Sequence, residues 1–181
     1  MGYRVILENL LLQNQSAILE RWFNLILETY PANTAALMRK EKNRFANPVG
    51  VTISREIEAL FKGLLENKGS EELAASLIAI LKIRSVQDFR PSQAVGFILL
   101  LKKAIEGALK SEIHREPIRE EWLKFHSRID ELALLAFDLY MDCREKICEI
   151  RIHKAQAERE MAFKMMERTT FLKEKAQKGE D

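Results

Sequence analysis

The chain has 181 residues, enough for one domain of ordinary size but not for two comfortable ones. It holds only 7 glycines and 4 prolines while 47% of its residues are apolar. This composition argues against a turn-rich β-sandwich, a collagenous repeat and a disordered chain. The 29 basic residues nearly cancel the 27 acidic ones, so we expect no nucleic-acid partner, because such proteins usually carry a strong basic excess.

No segment is predicted to insert into a membrane. The longest apolar run covers residues 94–101, whereas a spanning helix needs about 20 apolar residues. The amino terminus lacks a charged leader with a cleavage site, which predicts a cytoplasmic protein. Cys143 and Cys148 lie five residues apart, and this spacing points their thiols in different directions on a helix. We expect both to be reduced core residues.

The apolar pattern is helical along almost the whole chain. A first clear stripe ends at Pro31, and Asn33 or Thr34 could cap a short helix that reaches about Phe45. Residues 46–50 then interrupt the pattern with a proline and a glycine. The next helix is predicted to stop at residues 67–69, with its glycine just past the helix end.

Two further helices follow in the middle of the chain. Ser70 is a capping residue, and the acids after it suit a first helical turn, so a helix is predicted from there to about Asp88. Pro91 begins the next helix, which we expect to reach about Ile113. Its first half is apolar nearly all round, which is typical of a helix in the middle of a bundle.

The stretch 118–178 contains no glycine and no proline. As one helix it would be about 90 Å long, well beyond the ~30 Å of a small domain. We therefore expect it to break or to protrude, with Thr169 and Thr170 as the weakest point, because paired β-branched residues fit helices poorly. An apolar stripe runs along it to Ile150, and a second apolar face at residues 134–141 predicts a middle part that is buried on two sides.

Beyond Ile150 the stripe thins, and residues 151–178 carry eight basic against four acidic side chains. The sequence thus predicts a bundle domain over residues 1–150 and a charged helical extension over 151–181. An extended helix with a narrow apolar stripe is typical of a coiled coil or a docking arm. The alternative is a frayed tail, because helical propensity alone does not fold an isolated arm.

The sequence lacks the common motifs of catalysis and metal binding. The segment GLLENKGS has no phosphate-loop lysine, and we find no GxGxxG, GxSxG, HExxH or zinc-type cysteine pair. His126 with Asp130 and Glu149 with His153 are interpreted as solvated helix pairs. A haem protein needs a histidine that faces an apolar pocket, and only His126 stands near an apolar stripe, so we expect no haem. Because the common motifs are absent, we also expect no metal and no enzyme activity. A haem or di-metal redox protein remains the alternative.

One polar cluster lies at the junction of the two middle helices. Arg84 and Asp88 are four residues apart and could pair, and Asp88 could also accept hydrogen bonds from the first amides of the next helix. One interpretation is a clasp between helices, and the other is a patch that binds a small anion or a partner. The candidate binding residues of this cluster are Arg84, Gln87, Asp88, Ser92 and Gln93.

Two blocks carry a family resemblance: NRFANPVGVTISREIEALFKGLL (residues 43–65) and IRSVQDFRPSQAVGFILLLKKAI (residues 83–105). They resemble the signature segments of the RsbRD-type amino-terminal domain, found in co-antagonists of the RsbT switch kinase of bacterial stressosomes, and RWFNLILETYP (residues 21–31) is similar too. The family positions retained are Asn47, Pro48, Gly50, Arg84, Gln87, Asp88, Phe89, Pro91, Ser92 and Gln93. The resemblance thus adds Asn47 to the candidate ligand- or partner-binding residues.

The resemblance implies an all-α, globin-like helical dimer without haem, whose last helix leads towards a STAS output domain. Because the sequence ends at Asp181, we expect a stand-alone version without that domain. The predicted function is a non-enzymatic bacterial signalling input or adaptor module. It would form a homodimer and bind a protein in trans, such as a STAS or kinase-type regulator.

Overall fold

The computed structural model describes residues 4–41, 43, 45–87, 89–110, 112–116 and 118–177, with the backbone alone for residues 4, 5 and 170–177. These residues form eight α-helices and one 3₁₀ helix, with no strand among them. The helices are α1 (Arg4–Gln13), α2 (Gln15–Leu27), α3 (Ala32–Lys40), α4 (Pro48–Leu65), α5 (Ser70–Ser85), α6 (Pro91–Val95), α7 (Leu100–Leu109), the 3₁₀ helix (Glu112–His114) and α8 (Ile118–Gln177). The predicted all-α class is confirmed, whereas the globin-like arrangement stays a prediction.

The chain divides into two compact units, Met1–Cys143 and Arg144–Asp181. The predicted domain boundary at residue 150 falls within α8 and stays a prediction. In the first unit, α2 packs against α7 and α4, and α4 packs against α5. Trp22 and Ile26 of α2 are fully buried, so this helix lies in the core. None of the described helices is both long enough and apolar enough to cross a membrane.

Three helix ends differ from their predicted form. Helix α3 begins directly after Pro31, so neither Asn33 nor Thr34 caps it. Asn67 rather than Gly69 takes the left-handed conformation after α4, with a φ of 54°, and a short polar side chain tolerates this conformation. Gly69 instead precedes α5, where its amide donates to the Glu72 carboxylate at 3.2 Å; Ser70 is therefore the first helical residue and not the cap.

The predicted helix from Pro91 to Ile113 is divided into α6, a turn at residues 96–99, α7 and the 3₁₀ helix. The Trp22 indole donates to the Phe97 carbonyl at 2.7 Å, so this carbonyl is already engaged. The Leu101 amide bonds the Ile98 carbonyl instead, at 3.0 Å. The backbone thus forms a turn where Phe97 and Ile98 enter the core, and the Trp22 indole satisfies the Phe97 carbonyl there.

Helix α8 is continuous through Thr169 and Thr170, so the predicted weak point does not interrupt it. Thr169 donates its hydroxyl to the Met165 carbonyl at 2.8 Å, an arrangement that a helix accommodates. In the first unit, α8 buries one face, made of Trp122, Phe125, Ile129, Leu132, Ala136 and Tyr140.

The second apolar face of α8 is exposed, so the prediction of burial on two sides is wrong. Leu134, Phe137 and Met141 are 69%, 44% and 46% exposed. In the second unit every described side chain from residue 148 to 169 is exposed. Both cysteines are free, but Cys148 is exposed and is not the core residue that we expected.

Asn47 connects α3 to α4 and gives a test of the fold. Its side-chain oxygen accepts from the Gly50 amide at 2.9 Å, and its nitrogen donates to the carbonyls of Met38 and Glu41 at 2.9 and 2.7 Å. Asn47→Ala should lower the free energy of unfolding by about 2–3 kcal/mol, because a cap and two buried hydrogen bonds are lost.

Asn47→Ser keeps an oxygen for the cap and should recover about 1 kcal/mol of this loss. Thr52→Ala, which removes an exposed hydroxyl that bonds the Pro48 carbonyl, is the control and should change stability by less than about 0.5 kcal/mol. Urea unfolding measures all three variants. Equal stability of Asn47→Ala and the unchanged protein would contradict the assigned role.

Candidate functional site

The site is built around Arg84, one residue before the end of α5. Its side chain is fully buried. One terminal nitrogen donates to the Gln93 carbonyl at 2.8 Å and to the Ala94 carbonyl at 3.4 Å, and the other donates to the Thr29 hydroxyl at 2.7 Å. Arg84 therefore connects α5 with α6 and with the chain just after α2.

Three aromatic rings surround the guanidinium. The central carbon of Arg84 lies 4.5 Å from the Phe89 ring centroid, 5.2 Å from that of Tyr30 and 5.4 Å from that of Phe97. Aromatic faces carry negative potential and attract cations. Tyr30 and Phe89 also pack edge to face, 5.2 Å apart, so the rings support one another as well as the cation.

No carboxylate contacts Arg84 in the part of the chain that the structure describes. The charge is held by carbonyls, a hydroxyl and aromatic faces, and the Arg84 Nε is buried without a hydrogen-bond acceptor among these residues. Burial lowers the pKa of the guanidinium below its ordinary value, and the nearby Tyr30 side chain opposes this shift. Burial therefore makes the site costly for a cation, and the hydrogen bonds of the two terminal nitrogens offset part of this cost.

The other predicted site residues are placed differently. The Gln93 side chain accepts from the Arg90 amide at 3.1 Å and helps to start α6; both Gln93 and Ser92 are exposed. The side-chain oxygen of Gln87 is buried and meets no donor among the described residues. Asp88 lies outside the described residues, so its predicted pairing with Arg84 stays a prediction.

Asn47 does not join this cluster, because all its hydrogen bonds go to α3, the loop after it and α4. The structure thus brings Arg84 and Gln93 together through a backbone carbonyl, and Asn47 has a separate, structural role. A ligand- or partner-binding role for these residues stays a prediction. Because α6 has five residues only, its start adds little to the case for an anion site.

Sequence reasoning missed the partners that hold the cluster. Thr29 and Tyr30 come from the end of the first apolar stripe, and Thr29 stands 55 residues before Arg84. No local sequence pattern connects these two residues with Arg84. Tyr140 on α8 donates to the Phe89 carbonyl at 3.4 Å, which connects the junction to the long helix. The available signal was the mixture of two aromatic and two basic residues in the segment 83–97.

The described residues offer no metal site, since no three of their His, Cys, Asp and Glu side chains are grouped to hold an ion. His126 is 36% exposed, and its ring lies 3.7 Å from the Asp130 carboxylate and edge to face with Trp122. It therefore forms the helix pair that its spacing predicted. Asp138 and Asp142 are exposed, as is expected of unpaired carboxylates. No observation favours the haem or di-metal alternative.

Replacing Arg84 tests how the buried charge is held. Arg84→Lys should lower the free energy of unfolding by about 3 kcal/mol or more, because a compact ammonium cannot reach three acceptors and is harder to desolvate. Arg84→Met should cost at least about 1 kcal/mol less, since it fills the apolar space without a charge. Urea unfolding at pH 7 gives both values.

The two variants should also differ in their pH dependence. Burial lowers the pKa of a cation at this position, so in Arg84→Lys the unfolded chain binds more protons than the folded one. Stability of that variant should therefore rise from pH 7 towards about 10, where a free lysine titrates. Arg84→Met, the control, should show no such rise relative to the unchanged protein. If the stability of the two variants changed with pH in parallel, the claim that burial lowers the pKa of a cation at this position would be contradicted.

The comparisons with known proteins give one clear family. Residues 16–153 match the family described as RsbT co-antagonist protein rsbRD N-terminal domain. A protein of Archaeoglobus fulgidus, described only as uncharacterized, is 25% identical over 155 residues, which cover 85% of this chain and 93% of that protein. No solved structure matches the chain. Because the family match extends over well more than half of the sequence, the chain belongs to the RsbT co-antagonist protein rsbRD N-terminal domain family.

Proposed function

We propose that this protein is a non-enzymatic signalling input or adaptor module, which forms a homodimer and binds a protein partner in trans. Its family is one of stress-signalling regulatory domains. The observation that carries the proposal is the exposed apolar face of α8, which consists of Leu134, Phe137 and Met141. The partner is a STAS or kinase-type regulator.

The spacing of this apolar face favours pairing with another helix. Residues 134, 137 and 141 follow a three-then-four spacing, which places them on one side of an α-helix and is typical of a helix–helix seam. The adjacent side of the same stretch buries Ala136 and Tyr140 in the bundle. A second copy of the chain is a suitable partner, because an apolar seam of this kind is self-complementary about a two-fold axis.

The junction at Arg84 has a physical connection to this seam. Phe89 contacts the guanidinium with its ring, and its carbonyl accepts the hydrogen bond from Tyr140. Tyr140 is a neighbour of Phe137 and Met141 along α8. A ligand or partner that displaces the junction would therefore change the packing of Tyr140 and with it the presentation of the seam. Such coupling requires two packings that differ in ligand affinity.

The second unit supports the part of the proposal that concerns the partner. Six large apolar side chains are between 56% and 70% exposed there: Ile150, Ile152, Met161, Phe163, Met165 and Met166. Most helical stability in proteins comes from tertiary packing of an apolar face. A helix with so many exposed apolar groups is typical of one that packs on another protein, and Met-rich faces adapt to partners well.

The dimer is tested at Phe137. Phe137→Glu should weaken dimerisation by at least about tenfold, because it places two charges at an apolar seam. Phe45→Glu is the matched control, since Phe45 is 96% exposed and lies in a turn between α3 and α4; it should leave the association unchanged. Sedimentation velocity over a range of concentrations measures both. A protein that is monomeric at all concentrations would contradict the dimer.

The second unit is tested by deletion of residues 151–181. The shortened chain should keep its helical circular dichroism per residue and its dimer, because the buried core and the seam at 134–141 are retained. It should no longer retain the partner that co-purifies with the full chain from the native cell. Met161→Glu combined with Met165→Glu should have the same effect on the partner. Partner binding that survives the deletion would exclude the second unit as the docking element.

A further inference from the structure

The exposed apolar residues of the second unit lie on two sides of α8. An α-helix turns by about 100° per residue, which places three of them within about 60° of one another around the helix axis: Ile150, Met161 and Met165. The other three lie on the opposite side: Ile152, Phe163 and Met166. Because a helix that is apolar on several sides is usually buried, each side is a separate candidate surface.

The charged residues are divided unequally between these two sides. A sector of about 120° centred on Met161 contains four basic residues: Lys146, Lys154, Lys164 and Arg168. It contains one acidic residue, Glu158, which pairs with Lys154 at 3.8 Å. The other acidic residues of the segment 144–169 lie outside the sector: Glu145, Glu149, Glu160 and Glu167. We call this sector, with its three apolar and four basic side chains, the basic apolar face.

A second copy of the basic apolar face does not fit against the first. In a parallel pair of helices, Lys154 and Arg168 would each face their own copy. In an antiparallel pair centred on Met161, Lys154 would face Arg168 of the other copy, because each stands seven residues from Met161. Like charges that are opposed at a seam between helices destabilise it. The face therefore requires an occupant of the opposite charge.

An anionic membrane surface fits this face less well than a protein helix does. A helix that lies on a membrane keeps a polar side towards water. Here the side away from the basic apolar face carries Ile152, Phe163 and Met166, which are 56%, 59% and 66% exposed. A membrane on one side would leave these apolar groups in water. A protein helix is therefore the better occupant.

We propose that the basic apolar face binds an acidic amphipathic helix of the partner in trans. The apolar stripe of that helix packs on Ile150, Met161 and Met165, and aspartate or glutamate along its flanks pairs with Lys164 and Arg168. This inference rests on the docking role proposed above for the second unit and specifies the chemistry of its partner. The apolar contacts supply most of the affinity, and the charges select acidic helices over basic ones.

The probe is a synthetic helix of about four heptads, with leucine at the seam positions and glutamate at the flanking positions. Fluorescence anisotropy of the labelled peptide, titrated with the full chain at pH 7, should give a dissociation constant below about 100 µM. The same peptide with lysine in place of glutamate should bind at least about tenfold more weakly. Raising the NaCl concentration from about 50 to about 500 mM should weaken binding of the glutamate peptide several-fold, because salt screens exposed charges.

Two matched pairs of variants locate the contact on α8. Met161→Glu should weaken binding of the glutamate peptide by at least about tenfold, whereas Met166→Glu, on the opposite side, should change it by less than about twofold. Lys164→Glu should weaken it by at least about fivefold, and Arg159→Glu, which reverses the same charge outside the sector, should stay within about twofold. All four residues are exposed, so the variants should keep the helical circular dichroism of the unchanged protein.

Equal binding of the two peptides, no binding at about 1 mM protein, or equal effects of Met161→Glu and Met166→Glu would overturn the proposal. A chain that sediments with phosphatidylglycerol vesicles but does not bind the glutamate peptide would assign the face to a membrane instead. The docking role of the second unit fails separately, if the co-purified partner survives deletion of residues 151–181. Loss of that partner on deletion, but not in Met161→Glu or Lys164→Glu, would overturn only the acidic helix.

Discussion

The first unit depends on a buried positive charge that three parts of the chain must share. Arg84 is fully enclosed, and its donors reach Thr29 after α2 and the Gln93 carbonyl in α6. A guanidinium in an apolar site needs acceptors for its donors, and here both terminal nitrogens have them. This requirement fixes where α2 ends, where α6 begins and how Phe89 and Tyr30 pack between them.

The same region determines how the centre of the bundle is built. The indole of Trp22 donates to the Phe97 carbonyl, which lies in the turn between α6 and α7. Tyr140 then connects the Phe89 carbonyl to α8. Several polar contacts of the core thus lie near one junction, and the hydrogen bonds of Asn47 form a separate set. A change at this junction would therefore be felt by α2, α7 and α8 together.

The elements that the sequence predicted well are those with strong local signals. A proline and a glycine predicted an interruption at residues 46–50, and α4 begins there at Pro48 with Asn47 as its cap. The absence of both residue types over 118–178 predicted the long helix α8. The failures came from contacts between distant residues. No local pattern shows that Trp22 would bond Phe97, so the turn inside the segment 91–113 was missed. The apolar spacing of Leu134, Phe137 and Met141 indicated a helix face correctly, but spacing does not distinguish a face that is buried within the chain from one that is exposed.

The candidate site was predictable in position but not in chemistry. The resemblance and the spacing both directed attention to Arg84 and Gln93, yet they suggested a carboxylate partner at Asp88. The structure supplies Thr29, two backbone carbonyls and three aromatic rings, and of these partners Thr29 and Tyr30 are remote in sequence. Asp88 lies outside the described residues, so its pairing with Arg84 stays a prediction. Backbone acceptors leave no trace in a sequence, because any residue type can provide them.

Native-state hydrogen exchange of the full chain, compared between the unchanged protein and Arg84→Met, tests the central role of Arg84 most directly. Local opening is reported by the amides of the segment that opens. If Arg84 holds the junction, the amides of residues 91–101 and those at the end of α2 should exchange faster in the variant, while α4 keeps its protection. Uniform loss of protection, or an unchanged junction, would contradict the account.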